Sequence, residues 1–108
     1  MSTISKDAKL VTLINVFTVD PDKQQQLLDM LGEATTKTMQ HVPGFISANF
    51  HRSLDGTKVV NYAQWRSVED FEAMMKNPAA RPHMEAIAAL AKFEPALYEV
   101  TETFSVDR

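Results

Sequence analysis

The clearest pattern in the chain is the alternation of side chains from Val59 to Arg66. In an extended strand successive side chains point to opposite faces of a sheet. One face of this strand would therefore carry Val59, Asn61, Ala63 and Trp65. It combines an amide, a small side chain and an indole. Because ligand pockets are mostly apolar with a few placed polar groups, this face is a candidate wall for a flat organic molecule.

Three other segments have strand composition, being rich in β-branched and aromatic residues. They are residues 10–19, 45–53 and 97–104. In the second of them Ile46, Ala48 and Phe50 alternate with polar residues, as in a half-buried strand. The Asp55-Gly56 pair that follows predicts a tight hairpin to the Val59 strand. Asn15 is a polar residue in an apolar row, so it either bonds to neighbouring backbone or faces a ligand.

Two helical regions separate these strands. Asp20-Pro21 predicts the start of a helix that runs to about Gln40, with an apolar stripe and a water-facing side that includes Gln24. The segment Ser67 to Asp70 resembles a capping box and would start a second helix. Two prolines should break that helix, so that its second piece spans about residues 82–91.

His83 would lie in the first turn of this second piece. The helix dipole disfavours a cation there, so a neutral imidazole that donates or accepts near a pocket is one interpretation. An ordinary surface residue is the other.

The order strand, helix, strand, strand, helix, strand predicts an α+β, ferredoxin-like βαββαβ fold, with one antiparallel sheet and helices on one face. The other face would expose an apolar set, namely Ile14, Val16, Val60 and Tyr62. Such a surface favours cover by a second copy, so we expect a homodimer with sheets face to face.

The composition narrows the function classes. At 108 residues the chain should form one domain, residues 1–108, with its core at about 10–104. A net charge of -3 without basic runs argues against nucleic acid. The chain has no cysteine, and its three histidines are scattered, so we expect no metal site and a cytoplasmic location. No stretch is apolar enough to predict a signal peptide or a membrane span.

From about Leu10 to Phe104 the sequence resembles the antibiotic biosynthesis monooxygenase family of dimeric α+β barrels. The resemblance is most specific in residues 42–45, at His51, and in the two motifs Asp-Gly-Thr at 55–57 and Asn-Tyr-Ala-Gln-Trp at 61–65. It implies a dimer and the oxidation of a phenolic, anthrone or hydroquinone-type ring to a quinone. Molecular oxygen would be the co-substrate, with no cofactor.

The same resemblance implies roles for individual residues. Asn61 and Trp65 match the residues to which the family assigns catalysis, and His83 is a candidate for moving the proton. A pocket tyrosine of the family is replaced by Phe71, which cannot donate a hydrogen bond. The expected substrate-binding residues are Asn15, Ala63, Phe71, Met74 and Met75.

Two alternative functions remain at this level. The loss of a hydroxyl at Phe71 favours a non-catalytic dimer that binds an aromatic ligand. A haem-degrading branch of the superfamily resembles the chain at Asn15 and His83, although its helix Trp is replaced at Met74 or Met75.

Overall fold

The alternating segment forms the third strand of a four-stranded sheet in the computed structural model, which describes residues 2–106. The strands are β1 (Val11–Thr18), β2 (Phe45–Arg52), β3 (Lys58–Trp65) and β4 (Lys92–Tyr98). The helices are α1 (Gln24–Lys37), α2 (Val68–Met75) and α3 (Arg81–Leu90). All neighbouring strands are antiparallel, in the order β2-β3-β1-β4. The predicted ferredoxin-like α+β fold is confirmed, including the division of the second helical region.

The helices cover one face of the sheet and bury two apolar clusters against it. One cluster is formed by Phe17, Val19, Leu27, Leu31, Val59, Ile87 and Ala91. The other is formed by Leu13, Val42, Ala63, Trp65, Met74 and Ala80. Burial of apolar surface is the main favourable term in folding, so these clusters fix the helices on the sheet.

The first helix differs from the prediction at both ends. A 3₁₀ turn at Pro21–Lys23 precedes α1, and Asp20 makes no side-chain hydrogen bond to cap it. Gln24 was expected to face water but is buried, because its amide nitrogen donates to the carbonyl oxygens of Ser53 and Lys58. The helix ends at Lys37, and a second 3₁₀ turn spans Met39–His41.

The last strand begins earlier than the sequence pattern indicated. It spans Lys92–Tyr98 and pairs with β1, whereas residues 99–104 contain no strand. The expected strand, residues 97–104, begins after Pro95, whereas the observed strand contains this proline. Proline lacks an N–H and is tolerated on the open side of an edge strand, and β4 is an edge of this sheet.

The strand β2 contains an irregularity that its alternation did not reveal. Its register against β3 shifts between Phe45 and Ser47, which leaves Ile46 as an extra residue. Ile46 was expected to point inward with Ala48 and Phe50, but its side chain is exposed. Because of this extra residue, the side chains before Ser47 point to the faces opposite to those that simple alternation predicts.

The start of α2 is held by a compact polar cluster. The Ser67 hydroxyl accepts from the Asp70 backbone N–H at 3.1 Å, which confirms the predicted cap. Arg66 donates two hydrogen bonds to the Asp70 carboxylate and, with a bond from Ser67, lowers the pKa of that carboxyl. The Asp70 side chain lies over Gly44, whose φ of 86° and lack of a Cβ permit the approach.

The opposite face of the sheet is partly covered by the N-terminal segment, residues 2–6. The Gln64 side chain accepts from the Thr3 backbone N–H and donates to the Thr3 carbonyl oxygen at 2.7 Å. Ser2 reaches Ser47 and Asn49 on the neighbouring strand. Within residues 2–106, no helix is both long enough and apolar enough to cross a membrane.

Candidate active site

A cavity of about 170 Å³ lies between the sheet and the helices. Its lining is mostly apolar, as expected of a pocket for an organic ligand. The eight residues that the sequence singled out all line it: Asn15, Asn61, Ala63, Trp65, Phe71, Met74, Met75 and His83. The structure therefore brings together candidates from two strands and both pieces of the second helical region.

The register of the sheet places the two asparagines side by side. Asn15 of β1 pairs directly with Asn61 of β3, and on its other side it faces Pro95 of β4. Residues directly opposite on antiparallel strands have side chains on the same face about 4.5–5.5 Å apart. The cavity wall thus has a pair of amides at its centre, next to the small and buried Ala63.

Three polar atoms on this wall are buried and unpaired. The side-chain oxygens of Asn15 and Asn61 and the indole nitrogen of Trp65 have no hydrogen-bond partner within residues 2–106. An unsatisfied buried polar group costs about 1–3 kcal/mol, so folded proteins rarely keep one without a reason. An amide can present either its oxygen or its NH₂ group, and the indole presents an N–H. A hydroxyl of a bound molecule could donate to either amide oxygen, an amide turned by 180° would instead donate its NH₂ group to a ligand oxygen, and the indole N–H would donate to a ligand oxygen.

The Trp65 ring is fixed by two aromatic neighbours. Its centroid lies 5.5 Å from that of Phe45 and 5.9 Å from that of Phe71, both in edge-to-face geometry. The side chain is only 2% exposed. Such contacts restrict the ring and hold the direction of its N–H.

Phe71 therefore packs against Trp65 in the cavity wall. It contributes shape to the cavity and no hydrogen bond. Met74 is buried behind this wall, whereas Met75 is 47% exposed and lies at the rim.

His83 is the one titratable side chain among the described residues that line the cavity. Its Nε2 lies 3.1 Å from the hydroxyl oxygen of Thr38, at the end of α1. Thr38 is buried and does not itself line the cavity. No group of three or more His, Asp or Glu side chains within residues 2–106 is arranged to hold a metal ion.

Several lining residues were missed by sequence reasoning. Phe45 turns into the cavity because of the bulge at Ile46, which strand alternation cannot indicate. Phe93 and Pro95 belong to β4, whose position was predicted wrongly. Four more come from the sheet, namely Leu13, Phe17, Ala48 and Phe50, and another group comes from the helical side: Leu31, Ala34, Thr35, Met39, Met84 and Ile87. Their helical spacing indicated core packing, and the same spacing is compatible with a cavity roof.

The chain is similar to a family of proteins whose members have known activities. Residues 10–90 match the family model of antibiotic biosynthesis monooxygenases. The tetracenomycin-F1 monooxygenase of Streptomyces glaucescens is 48% identical over 104 residues, which cover 96% of this chain and 93% of that protein. The deoxynogalonate monooxygenase of Streptomyces nogalater is 29% identical over 98 residues, which cover 90% and 81%.

The fold agrees with a solved structure of this kind. A monooxygenase from the gene ActVA-Orf6 of Streptomyces coelicolor, in complex with nanaomycin D, superposes with a TM-score of 0.81 at 28% identity, covering 91% of this chain and 93% of that one. SnoaB, a cofactor-independent oxygenase from Streptomyces nogalater, gives 0.72 at 27% identity, covering 89% and 97%. On its sequence match and its fold, this chain belongs to the antibiotic biosynthesis monooxygenase family.

Proposed function

We propose that this protein is a cofactor-independent monooxygenase that oxidises a phenolic, anthrone or hydroquinone-type aromatic to a quinone with molecular oxygen. The observation that carries the proposal is the set of three unpaired polar atoms on Asn15, Asn61 and Trp65. They lie on one wall of an apolar cavity in a chain of this family. The relatives named as monooxygenases, and SnoaB as cofactor-independent, support the reaction class.

The chemical requirement is to stabilise a deprotonated substrate. An anthrone that loses a proton becomes an enolate, which passes one electron to oxygen and then combines with the resulting superoxide at the ring carbon. The peroxide formed in this way takes up one proton, which balances the proton lost in the first step. Breakage of its O–O bond, with loss of the remaining C–H proton to the departing hydroxide, gives the carbonyl of the quinone and water. Each step uses electrons of the substrate, so no side chain needs to change its redox state.

The side chains would act by placing hydrogen-bond donors where charge develops. The Asn61 NH₂ group would donate to the enolate oxygen, and a preoriented donor in a dry site contributes about 2.7–4 kcal/mol to the transition state. Asn15, its direct neighbour in the sheet, would bind a second substrate oxygen. Trp65 would donate its indole N–H to the peroxide oxygen while its ring packs against the substrate.

The first test is oxygen uptake by protein free of metal and flavin, with an anthrone or a hydroxynaphthalene as substrate. The wild type is compared with the double variant Asn61→Ala/Trp65→Phe, whose folding is checked by circular dichroism. Uptake that requires the protein and falls in the folded double variant supports the proposal. Uptake no faster than the buffer control, with tight binding of the same compound, would instead indicate a non-catalytic binding protein.

That alternative follows from one observation, the aromatic Phe71 beside Trp65. The variant Phe71→Tyr distinguishes the two functions if the wild type is inert. A gain of oxidation would show a catalytic scaffold that lacks one donor, and continued inertness with retained binding would leave binding alone. Haem titration tests the third possibility, because a haem-degrading protein would shift the Soret band.

We also propose that the protein acts as a homodimer that pairs the helix-free faces of two sheets. That face carries Ile14, Val16 and Val60, apolar side chains that no helix within residues 2–106 covers and that remain partly exposed. Sedimentation of the wild type should give a dimer, and Val60→Lys should give a folded monomer. A monomeric wild type at micromolar concentration would contradict the proposal.

A further inference from the structure

The pairing of His83 with Thr38 limits what the histidine can do in the cavity. A neutral imidazole carries its proton on one nitrogen, so one nitrogen donates and the other accepts. The Nε2 atom is 3.1 Å from the Thr38 hydroxyl oxygen, and either atom could carry the hydrogen. The partners of Thr38 decide between these two arrangements.

The Thr38 hydroxyl has no other partner among residues 2–106. Thr35 and Thr36, one turn earlier in α1, donate their hydroxyls to the helix carbonyls of Leu31 and Gly32. Thr38 makes no such bond, and its side chain is only 9% exposed. If Nε2 carried the proton, the threonine O–H would be buried without an acceptor, which is costly. The hydroxyl therefore donates to Nε2.

An Nε2 that accepts places the proton of neutral His83 on Nδ1. That nitrogen has no partner within residues 2–106, and His83 lines the cavity whereas Thr38 does not. The position of His83 in the first turn of α3 also disfavours an imidazolium. On α1 the Glu33 carboxylate pairs with Lys37, which is the largest cause of its lowered pKa, and His83 is the smallest cause.

We infer that Thr38 is a positioning residue, which fixes His83 as the Nδ1–H tautomer, so that His83 donates a hydrogen bond to a ligand oxygen. With Nε2 bonded to Thr38 and Nδ1 already protonated, His83 would not accept the substrate proton, which is the role that the family resemblance implied. Its ligand part rests on the proposed function, since it names the oxygen atoms of an aromatic substrate as the acceptors. Its tautomer part depends only on the protein.

The tautomer is tested by nitrogen NMR of protein labelled with ¹⁵N-histidine, at a pH where the ring is neutral. His83 is assigned by the loss of its signals in His83→Gln, and the exposed His41 and His51 serve as internal references. We expect wild-type His83 to show a protonated Nδ1 and an unprotonated Nε2. A protonated Nε2 in the wild type would overturn the inference, whether or not any variant folds.

Variants of Thr38 test whether this threonine determines the tautomer of His83. Thr38→Val keeps the shape but removes the donor, so the His83 signals should move toward the Nε2–H form, and Thr38→Ser should restore them. Thr36→Val is the matched control, because Thr36 is exposed and bonds only within its own helix. Unchanged His83 signals in a folded Thr38→Val protein would overturn the assignment of Thr38.

The ligand part is tested with 1,8-dihydroxyanthraquinone as a probe, titrated by its absorbance. Thr38→Val should weaken binding by roughly threefold to tenfold, the effect of one neutral hydrogen bond, whereas Thr36→Val should not. Unchanged affinity despite a shifted tautomer would overturn the donor role of His83. Failure of the wild type to bind the probe would instead count against the substrate class, and the tautomer result would be unaffected.

Discussion

Two amide side chains of strand β3, three residues apart, have opposite environments. Gln64 lies on the helix-free face, is 1% exposed, and makes hydrogen bonds through both ends of its amide to Thr3. Asn61 lies on the cavity face, and its side-chain oxygen has no partner within residues 2–106. The first amide ties the N-terminal segment to the sheet. The oxygen of the second amide can still accept a hydrogen bond, because no group within residues 2–106 donates to it.

The comparison shows that burial of a polar side chain does not by itself mark a site. Gln24 is also buried, and its amide nitrogen is paired, because it donates to the carbonyl oxygens of Ser53 and Lys58. What distinguishes Asn61 is that its unpaired oxygen lies on the same wall as the unpaired side-chain oxygen of Asn15 and the unpaired indole nitrogen of Trp65. The helix-free face has unpaired hydroxyls as well, on Thr12 and Tyr62, but neither residue lines the cavity described above. A group of unpaired polar atoms around one cavity therefore indicates a ligand site more specifically than the burial of a single polar side chain does.

The largest effect is expected for Asn61→Leu, which removes the unused amide with little change of size. Turnover should fall by about 10²–10³-fold, the loss of one preoriented donor. The melting temperature should stay the same or rise, because an unsatisfied polar group is replaced by an apolar one. Initial oxygen uptake and thermal unfolding measure the two effects. A clear loss of stability would mean that Asn61 serves the fold, and the contrast with Gln64 would fail.

Trp65→Phe should give the next largest effect. The smaller ring keeps the edge-to-face contacts with Phe45 and Phe71 but lacks the indole N–H. Loss of a hydrogen bond to a charged oxygen costs about 1.5–3 kcal/mol, so turnover should fall roughly tenfold to a hundredfold. Steady-state kinetics at saturating substrate measure this. Full turnover in the variant would show that the unpaired indole nitrogen has no part in the reaction.

Gln64→Met should affect stability and leave turnover intact. The methionine fills the space of the glutamine but cannot bond to Thr3, so the free energy of unfolding should drop by about 1 kcal/mol. Urea denaturation measures the change, and hydrogen exchange should become faster in residues 2–6. Reduced turnover of the folded variant would indicate that the N-terminal segment supports the cavity through β3.

The smallest effect is expected for Asp55, which lies in the exposed turn between β2 and β3. The side chain and backbone of Thr57 and the Ser53 hydroxyl donate to Asp55 and lower its pKa to about 2. Because the folded-state pKa lies below the ordinary value of about 3.9, this carboxylate stabilises the fold above that pH. The stabilisation is lost as the pH falls toward 2.

Asp55→Asn should therefore flatten the pH dependence of stability between about pH 4 and 2. Its effect should be small because the turn is exposed. Thermal melts across this pH range compare the variant with the wild type. An unchanged acid slope would mean that these hydrogen bonds persist in the unfolded chain.

The element order was predictable because each element has a local signal. Alternation in residues 59–66 gave both a strand and the shared face of Asn61, Ala63 and Trp65, and the cap at Ser67 gave the start of α2. The errors came from non-local effects. Pro95 is compatible with a strand only because β4 lies at the sheet edge, and Gln24 is buried only because two carbonyl oxygens from the β2–β3 turn reach it.

The sequence by itself determined the fold class, the family and the chemical character of one cavity wall, because strand periodicity and motif spacing are properties of neighbouring residues. Tertiary structure decided which side chains meet. The register of β1 on β3 paired Asn15 with Asn61, and the packing of α1 on α3 joined Thr38 to His83. These contacts link residues 45 or more positions apart. They depend on how whole elements pack, so no local pattern in the chain contains them.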